Sequence, residues 1–167
     1  MAKQDQNSAF MQKAINMADK NMLSKKGGPF GAIITRDGNI LAQAGNTVNA
    51  ANDPTAHAEI NAIRLACKKL KSSVLDGCTL YTSCEPCPMC LSAIYWSKIS
   101  LVYYGNTKTD AEWAGFGDAF LYDEISKEIN ERAIPFKRVL PNKAILSFET
   151  WLALSDEDKE EIKNGSL

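Results

Sequence analysis

The chain has 167 residues, 45% of them hydrophobic and 23% charged, the size and make-up of one soluble domain with a single core. Its 19 basic and 20 acidic residues leave a formal net charge of −1, and a pI near 5.9 argues against a broad nucleic-acid-binding surface. The polar start lacks a secretory signal, no apolar run nears the ~20 residues that span a bilayer, and an odd count of five cysteines does not make a disulfide framework, so no membrane partner and a reducing cytoplasm are expected.

Apolar residues at helical spacing (Phe10, Ala14, Met17, Ala18, Met22) predict an amphipathic helix over 4–24, ended by Gly27-Gly28-Pro29. Residues 30–35 and 40–44 read as strands joined by an Asp37-Gly38 hairpin turn. A loop over 46–55 closes on Asp53-Pro54-Thr55 and leads into a helix over 56–70, with Ile60, Ile63 and Cys67 as its buried stripe. A strand over 78–83, a helix over 86–97 with prolines in its first turn, and a strand over 99–104 form a parallel crossover. A helix near 118–129, a fifth strand over 136–140 and helices over 145–154 and 156–163 complete the chain. With no internal repeat and no linker, 1–167 reads as one α/β domain: a three-layer α/β/α sandwich around a central mixed five-stranded sheet.

The chemistry concentrates in two short stretches, His57-Ala58-Glu59 and Pro86-Cys87-Pro88-Met89-Cys90. His57 is the only histidine, and Cys87 and Cys90 stand three apart at a helix start, so their sulfurs share a face. The helix start favours thiolate, the form that binds metal. One imidazole and two thiolates suit Zn²⁺ and leave its fourth tetrahedral position free for water. Two thiolates neutralise the ion, which makes it a weaker acid than a three-histidine zinc, so a neighbouring base matters more. Glu59 is the carboxylate beside the ligand, and this H-x-E with P-C-x-x-C pattern is the signature of zinc deaminases. Cys84, three residues before Cys87, could instead close the site as a fourth, structural ligand.

With those residues in view, the chain resembles the cytidine deaminase-like superfamily and, within it, the bacterial guanine deaminases. The resemblance runs through residues 27–32, 52–59, 80–90, 93–96, 109–112, 114–116 and 131–136. The zinc motif marks the superfamily, while Tyr95-Trp96 and Ala114-Gly115-Phe116 with Asp118 point to the narrower group. The resemblance implies zinc on His57, Cys87 and Cys90, proton transfer by Glu59, and Asp118 as a second acid facing the amino group. It also implies that Phe30 stacks on a purine base, that Asn46 bonds its polar edge, and that Ala58 and Glu85 form walls of the site. The implied reaction is guanine to xanthine and ammonia, in a homodimer whose C-terminal segment crosses to the partner. The chain departs from the group at Gly117, where an acidic residue is common, and in the tail after Trp151.

Each of these residues also has a plainer role: Glu59 on a solvated helix face, Phe30 in the core, Asn46 in a turn, Asp118 as a helix cap. Cys67 and Cys78 read as buried apolar groups, and Trp96 and Trp113 as packing or interface residues. Two other functions stand beside guanine deamination. One is a related enzyme acting on guanosine, cytosine or tRNA adenosine, the last of which needs cations around the pocket. The cluster Lys68, Lys69, Lys71 lies late in its helix, away from the zinc end. The other is a non-catalytic zinc module, with a closed four-ligand metal and no use for Glu59.

Overall fold

The computed structural model of the protein describes residues 3–165. Their contacts gather into two compact units, one running to Tyr122 and one from Asp123.

The first unit is built on a sheet of β1 (Gly31–Arg36), β2 (Asn39–Gly45), β3 (Cys78–Cys84) and β4 (Leu101–Asn106), in the order β2-β1-β3-β4. β1 pairs antiparallel with both β2 and β3, and β3 pairs parallel with β4. At the β1–β2 hairpin Asp37 and Gly38 both take positive φ, 50° and 72°, the two left-handed positions that the Asp-Gly pair predicts. The first five residues of β1 are buried, and its side chains alternate between two cores. Ala32 and Ile34, with Cys78 and Leu80 of β3, pack against Ala58, Ala62, Ile63 and Ala66 of α3 (Ala58–Leu70) and Ile94 of α4 (Pro88–Trp96). On the other face Ile33 and Tyr81 pack against Phe10 and Ala14 of α1 (Lys3–Leu23). Ile33, Ile34 and Leu80 are fully buried, a gain of about 1.5–3 kcal/mol each against exposure. The α/β class and the three layers are thus present in this unit.

Two details set the position of the site. The loop after α1 crosses the end of β2 so closely that a Cβ on Gly27 would stand 2.1 Å from the Asn46 carbonyl oxygen, so only glycine fits there. The parallel pair β3–β4 is joined through α4, which begins just beyond the carboxyl end of β3, where ligands of α/β sheets collect.

The expected loop over 46–55 contains a short helix, α2 (Val48–Ala51), and a helix the sequence analysis did not anticipate, α5 (Lys108–Trp113), follows β4. α6 (Ala119–Ser126) is shorter than the expected 118–129. The second unit holds α7 (Pro141–Ala153) and α8 (Asp156–Gly165). The described residues contain four strands, not five, because 136–140 is not one. Phe136 and Val139 are strand-favouring types, but Leu140 turns into the left-handed region at φ 51° to start α7 on Pro141, and the Arg132 guanidinium lies over the Phe136 ring at 5.4 Å. No described helix is long and apolar enough to cross a membrane.

Candidate active site

α3 and α4 begin side by side at the carboxyl end of β3, and each begins on a metal-ligand residue. His57 is the N-cap of α3 and Cys87 the N-cap of α4, both with extended backbone and neither using its side chain to cap the helix. Pro88 at the first helical position fixes the turn that follows Cys87. The imidazole and the thiol are therefore free to face one another across two positive helix ends.

The Sγ atoms of Cys87 and Cys90 each lie 3.6 Å from His57 Nδ1. The three donor atoms fall within 4.8 Å of one another, and no other such group occurs among the described residues. A tetrahedral zinc with Zn–S of about 2.3 Å and Zn–N of about 2.05 Å requires N and S ligands about 3.6 Å apart. The donor set and its spacing fit zinc. Cys84 is not part of the group: its thiol lies 3.7 Å from the Thr107 carbonyl oxygen, and burial pushes it up to about 11. Three protein ligands leave one position open.

In the metal-free protein the Cys87–Cys90 contact favours thiolate on Cys87 and thiol on Cys90. A hydrogen bond from the Cys90 thiol, then one from His57, pulls the Cys87 thiol down to about 4, and the same Cys87–Cys90 contact holds the proton on Cys90. The Cys87 sulfur in turn raises His57 above its ordinary value. Metal binding replaces these protons with the ion.

A cavity of about 290 Å³ opens on this group and is lined by His57, Cys87, Glu59, Phe30, Glu85 and Asp118. Glu59 is only 6% exposed, and burial, then the Cys87 charge, raises its carboxyl above the ordinary value. Asp118, half-buried, is raised for the same two reasons in the same order. The Phe30 ring meets Phe116 edge-on at 5.2 Å, giving one apolar wall. Glu85 Oε2 accepts from the Lys108 amide at 3.0 Å, and Thr107 and Asp110 form a capping box, so α5 is pinned against the cavity. Lys108 also stands over the Tyr122 ring at 4.7 Å.

Seven of the nine residues singled out in the sequence thus gather here: the three candidate metal ligands, two acids, and Phe30 and Glu85 in the wall. Asn46 and Ala58 are not in the cavity lining. Asn46 is buried with its Oδ1 accepting from the Val48 amide at 3.2 Å, and Ala58 is packed into the core. The wall also includes Lys108, Ala111, Phe116, Phe120 and Leu121, to which the sequence analysis gave no role in the site. The Thr107-x-x-Asp110 spacing is the signal that could have placed the first two.

The family model "Cytidine and deoxycytidylate deaminase zinc-binding region" matches residues 4–106. Guanine deaminase of Bacillus subtilis is 51% identical over 142 residues, covering 85% of this chain and 91% of the relative. The X-ray structure of guanine deaminase from Bacillus subtilis superposes with a TM-score of 0.87 at 48% identity, over 89% of this chain and 95% of that one. A tRNA-specific adenosine deaminase of Agrobacterium fabrum is 47% identical over 77 residues, 46% of this chain and 51% of the relative. The chain belongs to the cytidine and deoxycytidylate deaminase family and is a zinc-dependent hydrolytic enzyme.

Proposed function

We propose that the protein hydrolyses the amino group of guanine, releasing xanthine and ammonia. The observation that carries the reaction is a buried carboxylate, Glu59, in the wall of the same cavity as a three-ligand metal group with one position open. The choice of guanine is supported by identity to a guanine deaminase along most of both chains.

His57, Cys87 and Cys90 would hold the zinc, which would lower the pKa of a water and polarise it for attack. Glu59 accepts the proton of the water that attacks C2 of the base. Because burial raises its proton affinity, Glu59 keeps the proton long enough to pass it to the ring nitrogen and the departing amine. Asp118, also in the wall, supplies a second carboxyl toward the amino group. Phe30, backed edge-on by Phe116, stacks on the purine plane. Glu85 bounds the base, while Asn46 and Ala58, outside the cavity lining, support that wall from behind it. A cavity of about 290 Å³ lies at the small end of ligand sites, roughly 300–1,000 Å³, and suits a free base.

Substrate recognition from tRNA calls for cations that hold phosphates. Lys108 is the one cation in this wall, against Glu59, Glu85 and Asp118, which supports a small uncharged base. The enzyme works in the reducing cytoplasm, where thiolate ligands persist. It acts as a homodimer in which the C-terminal segment packs on the partner. The apolar surface of the second unit supports this: Ile134 is 74% exposed and Phe148 69%. Ammonia release measured across guanine, guanosine, cytosine, adenine and tRNA tests the substrate. Guanine is expected to be turned over fastest, and preference for any other member of the panel refutes it.

A further inference from the structure

We propose that Asn21 and Asn61 are positioning residues that hold the Phe30 wall and the zinc-ligand helix in fixed relation. The inference rests on the deaminase reading above and adds two residues to that site's machinery.

Asn21 sits in the last turn of α1 and is 6% exposed. Its Nδ2 carries two hydrogens and makes two bonds, to the Gly28 carbonyl at 3.0 Å and the Asn46 carbonyl at 2.7 Å. Those two segments are laced to Phe30 as well: the Phe30 amide donates to Gly28 and the Asn46 amide donates to the Phe30 carbonyl. One buried amide therefore sets the backbone on both sides of the aromatic wall.

Asn61 lies one turn into α3, its own amide donating to the His57 carbonyl at 2.9 Å. Its Nδ2 is shared among the Gly45 carbonyl at 3.0 Å, Thr47 Oγ1 at 3.0 Å and the Ala56 carbonyl at 3.2 Å. It ties both neighbours of Asn46 to the residue that precedes the histidine ligand. The path runs from α1 through Asn21 to Gly28, Phe30 and Asn46, and from Thr47 through Asn61 to Ala56 and His57. Neither asparagine lines the cavity, so each acts through the groups it holds.

The two ends of this path predict different kinetic signatures. Loss of a buried hydrogen-bond donor is worth 5- to 100-fold at the group it positions. In Asn21→Ala the base-stacking wall loosens, and KM for guanine is expected to rise about tenfold with kcat changed less than about threefold. In Asn61→Ala the histidine end shifts, and kcat is expected to fall about tenfold with KM little changed. Both variants should retain wild-type zinc content. A purely structural role predicts a lower Tm with both kinetic constants intact, and that result overturns the inference, as does an equal change of both constants in both variants. If an alanine variant does not fold, Asn21→Ser and Asn61→Ser, each keeping a short donor, are read in the same way.

The wild type is assayed first. If it leaves guanine untouched, the substrate reading fails, and the split is measured on whichever ring it accepts. Amide hydrogen exchange gives a readout independent of turnover. Faster exchange at Phe30 and Asn46 in zinc-loaded Asn21→Ala supports the positioning role, and unchanged exchange there overturns it.

Discussion

Burial sets two demands on Glu59 against each other. A carboxyl with few water contacts holds its proton more tightly, which suits a group that must carry one, yet the ionised form is costly to the fold. Glu59→Gln is expected to keep zinc and lose turnover by about 10²- to 10⁴-fold, read as ammonia release beside metal content. In the metal-free protein the same change should raise stability. The unfolded carboxyl titrates near 4.5 and the folded one higher, so between those values the folded state binds more protons. Wild-type stability therefore declines as pH rises from 4.5 toward the folded value. Urea unfolding of metal-free protein should show Glu59→Gln more stable than wild type at pH 7, with the gap closing as pH falls toward 4.5. A less stable variant at pH 7 contradicts the sign. Cys84 gives a separate test of the open coordination position. Cys84→Ser is expected to hold as much zinc as wild type, and loss of the metal would assign Cys84 as a fourth ligand.

At the scale of elements, α5 shows how a short helix becomes part of a site. Six residues do not make a stable helix alone, and this one is held by the Thr107–Asp110 capping box and by Glu85 on the Lys108 amide. Thr107→Ala should cost about 1 kcal/mol in the unfolding free energy and reduce turnover, since Lys108 and Ala111 line the cavity. Unchanged kinetics in a destabilised variant would separate α5 from the chemistry. This helix also marks a limit of the sequence reading. The metal ligands and Glu59 were legible because their geometry is local: two helix starts, each with its ligands within three residues. The Asp37-Gly38 turn and the apolar, β-branched β1 were legible for the same reason. α5 has too little periodicity to announce itself, and only its cap betrays it. Residues 136–140 include strand-favouring types, but a strand also needs a neighbour with free ladder positions, which the sequence of one segment does not contain. Asn46 joined the site in the sequence through resemblance, and the fold gives its Oδ1 the backbone of a turn.

At the scale of the molecule, exposed apolar surface is the feature most in need of a partner. Phe136 is 55% exposed and Phe148 69%, both in the unit that begins at Asp123. Sedimentation of the zinc-loaded protein should give a dimer, and Phe148→Asp should shift it toward monomer. A wild-type monomer at micromolar concentration would remove the homodimer from the proposal. The sequence reads as one domain, whereas the contacts of the described residues gather into two units. What differs is whether an apolar residue finds a core, as Ile34 and Leu80 do and Phe148 does not.

The placement of His57 and Cys87 at helix N-caps bears on what the protein would become without its metal. An N-cap normally uses a short polar side chain to satisfy the helix's first amides, a contribution of about 1 kcal/mol. Here both caps give up that bond to keep a ligand atom free. Cys87→Ser in metal-free protein should therefore unfold at a denaturant concentration no lower than metal-free wild type, although it abolishes the site. A lineage released from catalysis could thus lose its ligands without resistance from the fold, through substitutions that are good helix starts. At these two helix starts His57 and Cys87 are residues the fold does not require, and their side chains are left free for a ligand role.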